Sequence, residues 1–157
     1  MPADVAIARQ LWWGVIGLGV VRLFVSLVDM LGRREEFVAE MTEQLRTTEA
    51  QLTPAGIDLL VTTAIILSGI FGLGFAAIGL LIVHQLGKGR LWARTVLTFV
   101  GVWLVFTGLG TLFAIEAIDG IAPLVAGAAA LVQAVLAGGA IYLCHREDAA
   151  KWFQVHR

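Results

Sequence analysis

Apolar residues run almost unbroken through four stretches, about 11–31, 57–86, 91–118 and 121–143. None shows the polar face that a helix on a soluble core keeps toward water. Each is long enough to cross roughly 30 Å of hydrocarbon as a helix. The pattern predicts an all-α membrane protein, a four-helix antiparallel bundle forming a single membrane domain over 1–157. The connections after 86 and 118 are short, which makes consecutive helices neighbours that run in opposite directions.

Between the first two stretches the pattern changes. Over 32–56, Glu35, Glu36, Glu40, Glu43 and Glu49 alternate with Phe37, Val38, Met41, Leu45 and Leu52 at spacings near three and four. Neither Pro nor Gly interrupts 33–53. This predicts a helical extracytoplasmic extension, either a continuation of the first helix or a short amphipathic helix after it. Thr53-Pro54 has the form of an N-cap followed by a first-position proline for the second span. The remainder, 144–157, reads as a tail.

Charge orients these elements. With both termini inside, the inner segments hold Arg9, Lys88, Arg90, Arg94, Arg146, Lys151 and Arg157, and the outer ones hold Arg33, Arg34 and Arg46. Basic residues favour the cytoplasmic side, so N- and C-termini are expected in the cytoplasm. Trp12, Trp13, Trp92, Trp152 and Phe153 would then lie at the cytoplasmic interface, where amphipathic rings settle. Trp103 falls inside the third span. Residues 1–10 carry Asp4 and Arg9, and the apolar run after them is too long and lacks a small-x-small site, so the first helix is expected to remain rather than be cleaved as a signal.

Composition agrees with the pattern. Of 157 residues, 59% are apolar and 15% charged, with a mean hydropathy of +0.86. A net charge of −1 gives no case for nucleic acid as a partner. A single cysteine, Cys144, rules out an internal disulfide.

Small residues recur where helices would touch: Gly14, Gly17 and Gly19 in the first span; Ser68, Gly72 and Ala76 in the second; Gly101 and Gly108 in the third; Ala126, Ala130 and Ala134 in the fourth. In lipid such residues let backbones approach, either within one bundle or against a partner helix.

Arg22 is the residue hardest to place. At the centre of a span an arginine costs about 2.5–3.5 kcal/mol on insertion scales. Gly19, Arg22, Ser26, Asp29 and Arg33 share one helix face. Asp29 lies about 10 Å along the axis from Arg22, too far for direct contact. Gln133 sits at matching depth in the fourth span, and its amide oxygen can accept from the guanidinium. Arg22, Ser26, Asp29 and Gln133 are therefore the candidate intramembrane site. It serves as a structural tie, a contact for a partner, or a transport or lipid-headgroup site.

Lys88, Arg90, Trp92 and Arg94 form a basic turn suited to anchoring at lipid headgroups. Gly87-Lys88-Gly89-Arg90 lacks the spacing and the following hydroxyl of a phosphate loop. His84, Cys144 and His145 are metal-ligand types without a metal-binding spacing. No Ser-His-Asp set, HExxH or paired acid within a span appears, so neither enzyme chemistry nor a cofactor is expected.

Asp4-Val5 followed by Arg9-Gln10-Leu11-Trp12-Trp13, Gly89-Arg90-Leu91-Trp92-Ala93-Arg94 with Thr95-Val96-Leu97-Thr98, and Ala150-Lys151-Trp152-Phe153 carry a resemblance. In order and spacing the chain resembles small, uncharacterised four-helix membrane proteins of high-GC Gram-positive, actinobacterial species. The Gly-Arg-x-Trp-Ala-Arg turn is its most specific element. Members often carry a long Pro-rich cytoplasmic leader, which is not seen here. The resemblance implies a plasma-membrane location and the same topology, and it brings no activity.

Two function classes follow. One is an accessory or scaffolding subunit that acts by helix association with another membrane protein or with itself. The other is a small transporter, channel or lipid-binding protein that uses Arg22 and Gln133. A cavity at those two residues favours the second, and a contiguous polar face without partners favours the first.

Overall fold

The computed structural model describes residues 2–47, 53–114 and 121–155. Six helices cover nearly all of them: α1 (Ala3–Gly32), α2 (Arg34–Thr47), α3 (Pro54–Gly87), α4 (Leu91–Ala114), α5 (Ile121–His145) and α6 (Glu147–Val155). Among the described residues there is no strand. By length and composition, four helices can cross a membrane: α1, α3, Leu91–Phe113 in α4 and Leu124–His145 in α5. Glu49, Leu52, the 115–118 end of the third apolar run, the Glu116 to Gly120 turn and Arg157 lie outside the described residues.

The first helix starts well before its apolar run. Arg9 and Gln10 end that run, but they do not end the helix. Val5, Ala8, Trp12 and Val15 recur at steps of three and four and are buried. The same face therefore continues inward while Gln10 stays exposed.

Past Gly32 the chain breaks at Arg33, whose backbone (φ −104°, ψ 18°) leaves the helical region. The acidic segment resumes as α2. Its placement is settled by α3. Arg34 Nη2 donates to Asp58 Oδ2 at 2.9 Å and to Thr62 Oγ1 at 2.7 Å. Phe37 and Met41 line a groove with Val61 and Ile65. The segment thus docks on its own bundle. At the start of α3, Thr53 Oγ1 accepts from Gly56 N at 3.2 Å, with Pro54 in the first turn, as its sequence predicts.

The 87–90 turn closes with Lys88 N donating to Gln85 O and Gly89 N to Leu86 O, both at 3.0 Å. Gly89 has φ 78°, a left-handed conformation open to glycine at little steric cost.

Burial is concentrated at one end of the molecule. Val5, Ala8 and Trp12 of α1, Val83 and Leu86 of α3, Ala93 and Leu97 of α4, Ala140 and Cys144 of α5, and Ala149 and Phe153 of α6 form one cluster. Of residues 144–157, read from sequence as a tail, Glu147–Val155 instead form α6, which covers that end. Trp12 and Phe153 are buried in that cluster, whereas Trp13 and Trp92 are half-exposed. Arg146 Nη1 donates to Asp4 Oδ1 at 2.9 Å and ties the α5–α6 junction to the start of α1.

Away from that end the packing is uneven. α5 packs along both α1 and α4, and α3 rests mainly on α1. α4 and α5 approach closely at Gly108, where a Cβ would lie 2.5 Å from Ala134 Cβ. Gly72 seats Leu23 between α3 and α1. Small residues thus serve contacts inside the bundle, while Gly17 faces open space. α3 and α4 meet near their shared turn, and the middle of α3 has no buried residue.

Candidate functional site

Where α3 and α4 part, α1, α3, α4 and α5 line an open-sided cavity of about 620 Å³. Its polar groups are Arg22 and Ser26 from α1 and Gln133 from α5. Val15, Gly19, Arg22 and Ser26 fall at steps of four, three and four, so one face of α1 supplies the whole polar side.

Gln133 is the best-fixed of these groups. It is 7% exposed. Its Nε2 donates to Val15 O at 2.9 Å, and its Oε1 accepts from Arg22 Nη1 at 3.2 Å. Val15 O is an ordinary helix carbonyl, and its second lone pair is free to take this extra bond. The amide reaches it because Gly19 has no side chain; a Cβ there would lie 3.2 Å from Gln133 Nε2. Arg22 therefore meets the partner that its depth in the sequence predicts.

Arg22 remains under-used. A guanidinium has five N–H donors, and Gln133 takes one of them. No acid among the described residues pairs with Arg22. Of the described residues that line the cavity, Arg22 alone is charged. The walls are apolar, with Leu23, Phe75, Val100 and Leu104 among them. Such a site can hold an apolar chain and bind a polar or anionic group at one point.

Asp29, grouped from sequence with Arg22 and Ser26, does not join them. It lies 4.0 Å from Arg33 and is not among the residues lining the cavity. The reason is distance: Arg33 is one turn away, whereas Arg22 is two. Arg33 also donates from Nε to Glu36 Oε2 at 2.8 Å, and this bond raises its pKa above the ordinary arginine value. Asp29, Arg33 and Glu36 thus belong to the α1–α2 corner.

The basic turn divides. Lys88 and Arg90 are exposed, and Trp92 is 50% exposed. Arg94 instead sits 5.6 Å above the Phe153 ring and helps hold α6. Cys144 is buried, and His145 Nδ1 lies 2.9 Å from Ile141 O. No cluster of three or more metal-ligating side chains occurs among the described residues.

A cavity at Arg22 and Gln133 is what the second function class expects from sequence, but no local pattern gives its walls or its opening. The one hint lies in α3, which carries bulky apolar residues all around its axis and so presents no single face to bury. Comparison with protein-family models, with curated proteins and with solved structures gives no match for this chain.

Proposed function

We propose that this chain is a non-enzymatic, multi-pass plasma-membrane protein that binds a small molecule with an apolar tail in the Arg22–Gln133 cavity. The observation that carries this reading is one cation, fixed by one amide, in a cavity at the middle of the spans whose described walls are apolar apart from Ser26. A charge kept at such depth marks function by default. The volume falls within the roughly 300–1,000 Å³ of small-molecule sites.

In this reading the four spans run antiparallel with both termini cytoplasmic, and α2 lies on the extracytoplasmic side. The basic-residue count supports that orientation. The resemblance to small actinobacterial four-helix proteins supports the location. Lys88, Arg90 and Trp92 anchor the cytoplasmic turn at lipid headgroups.

An accessory-subunit role draws on a different observation, the exposed middles of α3 and α4 with Phe71, Phe99 and Phe106. One purification separates the two readings. The tagged protein is extracted from its own membranes in mild detergent beside Arg22→Leu, and copurifying lipids, small molecules and proteins are identified by mass spectrometry. A small molecule retained by the native chain and lost from Arg22→Leu is the expected result. A stoichiometric protein lost from the variant would replace ligand binding with subunit association.

A further inference from the structure

Resting on the ligand-binding reading above, we infer that the occupant of the Arg22 cavity is a single-chain carboxylate amphiphile, a free fatty acid, which enters sideways between α3 and α4.

The argument begins with charge. Arg22 is the one charged residue among the described lining, and Gln133 is neutral. A carboxylate accepts two parallel N–H bonds from a guanidinium fork. One such group neutralises one arginine, and a neutral hydrogen-bonded pair is far easier to hold in a low-dielectric site than a cation alone. A phosphomonoester would bring surplus negative charge that nothing in the lining offsets. A fatty alcohol would leave the cation unneutralised. Ser26, one turn beyond Arg22 on the same wall, offers a hydroxyl donor to the same head.

Shape and access point to one chain. The remaining wall is aliphatic and aromatic: Leu23, Phe75, Ile78, Val100 and Leu104. Three of these are also rim residues, with Phe75 71%, Ile78 53% and Val100 43% exposed. They come from the middles of α3 and α4, which part beyond the 87–90 turn. The mouth therefore opens toward the hydrocarbon and not toward water, and a ligand dissolved in the bilayer reaches it without leaving lipid. At the other limit, Trp12 and Leu97 close the cavity against the buried cluster.

The test uses the whole protein in phosphatidylcholine nanodiscs. A palmitic acid analogue with a mid-chain diazirine is compared with the matching fatty alcohol, and labelled residues are mapped by mass spectrometry. The acid is expected to label Phe75, Ile78, Val100 or their neighbours and to be displaced by unlabelled palmitic acid. Its labelling should fall at least about tenfold in Arg22→Gln, the worth of a charge-assisted hydrogen bond, and survive largely in Arg22→Lys. The alcohol should label these positions weakly in every protein. Equal labelling of the native cavity by acid and alcohol overturns the carboxylate assignment and leaves the ligand-binding reading standing; this comparison needs no variant. Undiminished acid labelling in Arg22→Gln does the same. Labelling by both probes confined to outward residues such as Phe106 and Phe113 overturns both readings.

Discussion

At the scale of single residues, the Arg22–Gln133 contact joins two polar groups that each leave something unsatisfied when the other is removed. Gln133→Leu strands Arg22 beside an apolar wall and should destabilise the protein by about 1–3 kcal/mol. Arg22→Leu combined with Gln133→Leu removes both polar groups and should recover most of that loss, since replacing both partners by apolar groups is often near neutral. Thermal melting of the purified variants in one detergent reads this coupling; strictly additive losses would show that the two side chains do not depend on each other. The pair was legible in the sequence because depth and helix face can both be counted along the chain. Asp29 was grouped with Arg22 by helix face although the spacing already put it about 10 Å away. It shares a stripe with Arg22, but Arg33 stands nearer, and the 4.0 Å approach between them follows.

At the scale of elements, contact quality differs along one helix. Gly108 of α4 faces Ala134 at a distance that admits no side chain, whereas Gly110 has nothing near it. Gly108→Val should cost about 1–3 kcal/mol through overpacking, and Gly110→Val should stay within roughly 0.5 kcal/mol of the native protein. Equal shifts of the two melting curves would show that α4 and α5 are not in close contact at Gly108. At the other end of α5, Phe153→Ala should cost roughly 3–5 kcal/mol, because the ring is fully buried under Arg94. A change within half a kcal/mol would show that α6 does not dock. The long helices were visible in sequence because twenty apolar residues in a row have few alternatives. α6 was not, because it is short and its two buried residues, Ala149 and Phe153, stand in a stretch with Glu147, Asp148, Lys151 and Gln154 that looks like a tail. The acidic α2 was visible as a helix from its spacing. Its docking on α3 depends on Arg34 meeting Asp58, a contact between segments that no local pattern announces.

At the scale of the whole molecule, orientation is the first quantity to measure. On a Cys144→Ala background, Ala39→Cys should react with an impermeant maleimide from outside intact cells, and Lys88→Cys only after permeabilisation. Both positions are exposed; Gly89 is unsuitable because a cysteine there would be strained at φ 78°. The reverse pattern would invert the topology. The architecture also has a mechanical side. Its buried cluster lies at the end where α6 and the Asp4–Arg146 bridge sit, and the opposite half of α3 rests on α1 and α2, parted from α4. α3 and α4 are thus joined at one end and apart at the other, like tongs held at the joint. In a bilayer, acyl chains packed against the exposed middles of α3 and α4 would bear on the opening between them. On the ligand-binding reading, tightly ordered chains would narrow it and fluid ones would widen it, which would make occupancy of the cavity a gauge of membrane order.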